Sequence, residues 1–164
     1  AGLGINQDIV LQLLYPKTKG KLPATKFILA GEPNSEHRAD LQQFLIKSPI
    51  GLEALAIAEQ IKLFFSLDLS AVWQGNLGGK SLKISRSELE IKVIQPFIQS
   101  LNDVTDRLIY GTQPEDITDI AIAGGTMQIP EVREWLESKF ANARVSVLSS
   151  SNLAQGLALS LIHI

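Results

Sequence analysis

Glu59, Lys62 and Ser66 succeed one another at spacings of three and four residues, which on an α-helix stack side chains on one face. A carboxylate there accepts from sugar hydroxyls, an ammonium donates to them, and a hydroxyl reaches a ring nitrogen. The stripe could thus reach a ligand's hydroxyls and ring nitrogens. The same spacing also describes a solvated face with one weak Glu–Lys pair. A second constellation is IAIAGGTMQIPEV, residues 120–132. Gly124 and Gly125 stand there between an apolar run and the helix expected from Pro130. Glycines let a backbone approach a ligand closely, and a helix N-terminus offers free N–H groups to a phosphate. A Gly-Gly turn also serves as plain connection.

The elements that must position these residues follow from periodicity. Ile5, Ile9, Val10, Leu13 and Leu14 have helical spacing over 5–15, and Pro16 is expected to end that helix. Helices are predicted over 35–47, with Ser35 as N-cap and Leu41, Phe44 and Leu45 inward, and over 51–66, with Ile57, Ile61, Phe64 and Phe65 on one side. The period then shortens. SAVWQG and LKIS read as strands of a hairpin around GNLGGK. Ser85-x-x-Glu88 is a capping-box signature for a helix near 86–98, Pro96 marks a kink or break, and a further helix runs over about 99–110 to Gly111. Pro114-Glu115-Asp116 reads as a turn, 117–123 and 145–148 as strands, 130–140 and 151–162 as helices. Trp135 is expected to pack in a core. Trp73, on a hairpin strand, is read as packed or as part of an exposed contact surface.

Composition narrows the function classes. The chain has 164 residues, a formal charge of −2 and 45% apolar residues, which suits a globular domain with a real core. That charge gives no reason to expect nucleic acid or an anionic membrane as partner. Lys17, Lys19, Lys21 and Lys26 read as a solvated basic loop. Without cysteine there are no disulfides or thiolate metal sites, and a reducing compartment is expected. His37 and His163 are too far apart in sequence to suggest a metal site. No apolar run has the length of a membrane span. The opening AGLGINQDIV is not a signal peptide and reads as a cut inside a longer chain.

Several stretches together resemble one family. AEQIKLFFS is similar to the adenosine-contacting helix of the seventy-kilodalton heat-shock chaperones, roughly A-x-E-x-x-K-x-x-L-S. ISRSELE resembles the family's I-T-R-x-x-F-E, SLNDVTDRL its L-x-x-V-x-x-x-L helix, and DITDIAIAGGTMQIPEVREWLESKF its I-x-x-I-x-L-V-G-G-S-T-R-I-P-x-V segment. AGLGINQDIV looks like a worn G-G-x-x-F-D, and SNLAQGLALS matches the A-V-A-x-G-A-A helix loosely. The likeness covers about 1–15 and 55–162, most specifically 84–140, and leaves 16–50 unmatched.

The resemblance implies an α/β fold: half of an actin-like, ribonuclease H-like ATPase domain, with an inserted α+β subdomain carrying a small antiparallel sheet. The core subdomain would comprise 1–15 and 99–164, and the helical and hairpin subdomain 16–98. Glu59 and Lys62 would meet the ribose hydroxyls and Ser66 the adenine. Gly124 and Gly125 would approach the α-phosphate and ribose, with Thr126 in the family's serine position. The two arginines that stack on adenine in the family are replaced by Leu63 and Gln128, a loss of roughly 0.5–2 kcal/mol per cation–π contact. The family's catalytic lysine, its metal-associated aspartates and both phosphate loops would precede this chain. No catalytic or metal residue is therefore assigned. ATP or ADP with magnesium belongs to the full-length parent, and the chain alone is not expected to bind nucleotide tightly. The implied partners are the N-terminal lobe of the same parent, a nucleotide-exchange factor and a co-chaperone, in the cytoplasm. A truncated sheet edge would invite self-association. Two alternatives stay open: a scaffold of the same fold with a decayed site, and another actin-fold ATPase.

Overall fold

Pro16, which the sequence marks as a helix end, and Pro96, marked as a kink or break, both lie inside helices. The computed structural model describes residues 2–18, 30–32, 35–67, 70–123 and 129–148. Helix α1 spans 2–18, and its middle, Val10–Leu14, is π-helical: the Tyr15 N–H donates five residues back, to the Val10 carbonyl. Helix α4 spans 86–108 and repeats the device, with Glu90–Ile94 π-helical and the Gln95 N–H on the Glu90 carbonyl. In each case proline comes next, at Pro16 and Pro96. Proline lacks an N–H, and its ring crowds the carbonyl four residues back. The wide turn lies where that crowding would fall. Pro16 thus does not end its helix, and the two helices expected on either side of Pro96 are one.

The residues around these turns form the core of the first of two compact units, Gly2–Thr105. Helices α2 (Ser35–Ile46) and α3 (Pro49–Leu67) pack against α1. Ser48 caps α3, its Oγ accepting from the Gly51 N–H at 3.1 Å, with Pro49 in the first helical position. Ile5, Ile9, Leu13 and Leu14 of α1, Ile61 and Phe65 of α3 and Val93 of α4 are all fully buried, and α1 packs against both of the other helices. As the period predicts, Leu41, Leu45 and Ile57 are buried; Phe44 and Phe64 are partly so.

Strands β1 (Val72–Leu77) and β2 (Lys80–Ser85) pair antiparallel, Leu77 opposite Lys80 and Val72 opposite Ser85. The turn is Gly78-Gly79, with φ of 56° and 76°, the left-handed pair that a two-residue type I′ hairpin requires. Trp73 is buried, at 6% exposure, so it marks no exposed contact surface. Its indole lies against Gly75, where a Cβ would come within 2.2 Å of the ring. The capping box forms as the sequence predicts: Ser85 Oγ accepts from the Glu88 N–H at 3.2 Å, and Glu88 Oε2 accepts from the Ser85 N–H at 3.0 Å.

The second unit begins at Asp106. A short 3₁₀ turn, Pro114–Asp116, leads into β3 (Asp119–Ala123), helix α5 (Pro130–Lys139) and β4 (Arg144–Leu148). β3 and β4 are parallel and in register from Asp119–Arg144 to Ala123–Leu148. Ile122, Leu136 and Phe140 form its core, with Trp135 partly buried against them. Among the described residues β3 and β4 pair only with each other. The described residues thus form five helices and two two-stranded sheets, a mixed α/β composition. The chain divides between the two units at Thr105 and Asp106, with α1 in the first. No described helix is long and apolar enough to cross a membrane. The predicted helix over 151–162 lies outside the described residues.

Candidate functional site

Helix α3 brings Glu59, Lys62, Leu63 and Ser66 to one face, as their spacing predicts. Lys62 is the enclosed member of this face. Its side chain is only 9% exposed and turns along the helix to Glu59 Oε2 at 2.6 Å. It also reaches Asn6 Oδ1 on α1 at 3.4 Å. Asn6 Nδ2 closes the triangle by donating to the same Glu59 oxygen at 2.7 Å. The ammonium therefore faces protein, and Lys62 positions Glu59.

Glu59 is the open member, its side chain 43% exposed. Oε2 accepts both donors, while Oε1 has no hydrogen bond among the described residues. The Lys62 hydrogen bond, with help from Asn6 and against partial burial, holds this carboxyl below its ordinary pKa. At neutral pH the site presents a fixed, ionised oxygen that accepts hydrogen bonds from hydroxyls. Next to it Leu63 is 45% exposed and offers an apolar surface to a planar ring. The Ser66 hydroxyl donates to the Leu63 carbonyl at 2.7 Å, so its lone pairs, rather than its proton, face outward.

Gly124, Gly125, Thr126 and Gln128 lie outside the described residues. Within those residues no group of three or more His, Asp or Glu side chains has the arrangement to hold a metal ion. His37 sits 3.5 Å from Glu32 Oε1.

Compared with known proteins, the chain matches no family model, and no curated protein matches it. The residues must therefore speak for themselves, and two of them went unnoticed in the sequence. Asn6 falls at the acidic position of the G-G-x-x-F-D pattern, which was the available signal. The second is Asp8, one helical step inward. Its carboxylate is 1% exposed and takes a two-pronged grip from Arg38 on α2, at 2.6 and 3.2 Å, and the Gly31 N–H at 3.0 Å. Arg38 also donates to the carbonyls of Glu32 at 2.9 Å and Gly4 at 3.2 Å. Burial outweighs these donors and pushes the Asp8 carboxyl above its ordinary pKa. With no surface to offer a ligand, this pair clamps α1, α2 and the 30–32 segment together.

Proposed function

We propose that this chain supplies the adenosine-side half of a nucleotide cleft, as part of the ATP-binding domain of a chaperone-like ATPase of actin-like fold. The observation that carries the reading is Glu59: a half-exposed carboxylate with one oxygen pinned by Lys62 and Asn6 and the other without a hydrogen bond among the described residues, beside exposed Leu63. A pair of vicinal hydroxyls would share Oε1, and a purine would lie on Leu63. The likeness of 84–140 to the heat-shock family and the Gly124-Gly125 segment support the same reading. Catalysis and magnesium binding belong to the opposite lobe of the parent, and nucleotide-driven lobe closure is what the parent would transmit. An exchange factor and a co-chaperone are the partners that such a cytoplasmic ATPase would use.

The test is isotope-labelled NMR of the chain with millimolar adenosine, paired with calorimetry of ADP on the parent. Amide shifts at Glu59 and Leu63 that weaken with 2′-deoxyadenosine are expected. Absence of both the shifts and the heat removes the nucleotide reading. One observation favours a second reading, a scaffold of the same fold that has lost its ligand. Lys62 is buried on its own helix neighbour, which is also what a purely structural pin would look like. An unchanged fold with no nucleotide response would establish it.

A further inference from the structure

The outer edge of β2 offers a site of a different kind. In a two-residue hairpin the pair flanking the turn exchanges both backbone hydrogen bonds, and the pairs alternate from there. Leu77–Lys80, Gly75–Leu82 and Trp73–Ile84 are thus the bonded pairs, and Ser81 and Lys83 turn their N–H and C=O groups away from β1. Ser85 is the third outward residue, and its N–H is taken by Glu88. Among the described residues Ser81 and Lys83 have no such partner, and both are exposed.

That edge lines a shallow cleft of about 360 Å³, bounded by Pro16 and Lys17 on the end of α1 and by 80–83 on β2. Leu82 forms a buried apolar floor. Lys80 closes one end by donating to the Lys17 carbonyl. Among the described residues Lys17, Lys80 and Lys83 bring three cations to the rim, with the Glu88 carboxylate 2.7 Å from Lys17, in a chain whose net charge is −2. The β1 edge, VWQGNL, has no charge at all.

We infer that β2 takes an extended acidic peptide as a third strand, seated in the cleft between Pro16 and the Ser81–Lys83 edge. Backbone bonds to Ser81 and Lys83 would supply the pairing, and alternate side chains the selectivity. Carboxylates would fall on the outer face, opposite Lys83, and small apolar side chains toward Leu82. A second copy of the same hairpin fits poorly, because it would set lysines against lysines.

The probe is a capped peptide of alternating Glu and Val, titrated into the labelled chain. Expected are shifts and slowed exchange at the Ser81 and Lys83 amides, binding that weakens with salt, and affinity about tenfold lower in Lys83→Glu. Ser81→Pro removes one outward N–H at a position where a strand tolerates proline, and should lose amide protection at Lys83 while the β1–β2 pairing persists. Equal binding of a Lys–Val peptide, or of a Glu–Val peptide methylated on its backbone nitrogens, overturns the inference. So does concentration-dependent protection of the same amides without peptide, which would mean self-pairing.

Discussion

Helix α1 carries two polar side chains two residues apart, and each meets a cation on a different helix with opposite results. Asp8 meets Arg38 in the interior, at 1% exposure, with both carboxylate oxygens bonded. Asn6 meets the Glu59–Lys62 pair at the surface, where one carboxylate oxygen stays open. Closed on all sides, the first has no chemistry left for a ligand. The second is held just as firmly on one side and is available on the other. Preorganisation with a free acceptor, rather than charge or burial alone, separates a binding group from a brace.

The sharpest way to break the comparison is to cut the interior pair. Asp8→Ala leaves the Arg38 guanidinium buried without its carboxylate and should cost about 3–5 kcal/mol, read as a fall in the urea midpoint. A loss below about 1 kcal/mol would put Arg38 in solvent and make the two pairs alike. Lys62→Met comes next. It keeps the apolar stem and removes the donor to Glu59 and Asn6, for about 1–2 kcal/mol. The Glu59 carboxyl should then titrate at a higher pH by carbon-13 NMR. No change in that titration would mean that Lys62 does not position it.

Leu63→Arg sharpens the surface member instead. It restores a cation where the resemblance implies a stacking arginine, and should tighten adenosine by about 0.5–2 kcal/mol, or roughly 2- to 30-fold. No gain would favour the scaffold reading over the nucleotide one. Stability should barely move, because Leu63 is already half in water.

Local signals explain what the sequence made legible. The capping box at Ser85 and Glu88, the hairpin around its glycines and the stripe on α3 each follow from residues a few positions apart. Residues that meet across the fold stayed hidden. Asp8 and Arg38 lie 30 positions apart, and nothing in QDIV or HRAD marks them as partners. Pro16 misled for a related reason. The rule that proline ends a helix is local, while the π-turns before Pro16 and Pro96 sit in helices packed against each other, where burial holds the wide turn. Spacing placed Lys62 on the right face, but only the neighbouring helix, through Asn6, decides where its ammonium goes.

Glu59→Gln is the mildest change and the most discriminating. Glu59 is 43% exposed, so its loss should cost under about 1 kcal/mol at neutral pH while abolishing the adenosine shifts at Leu63. The sign of its pH dependence is fixed by Lys62. A carboxyl held below its ordinary value stabilises the fold fully above the unfolded pKa of about 4.3, and that stability is lost as pH falls through the folded value. The gap between wild type and variant should therefore close on acidification. Asp8 runs the other way: raised by burial, its contribution is complete below the unfolded value of about 3.9 and is lost as pH rises through the folded one. That contribution is common to both proteins and cancels in the difference. A gap that stays constant across the acid range would mean that the folded chain does not hold Glu59 as an anion, and the surface pair would then be no better organised for a ligand than any solvated glutamate.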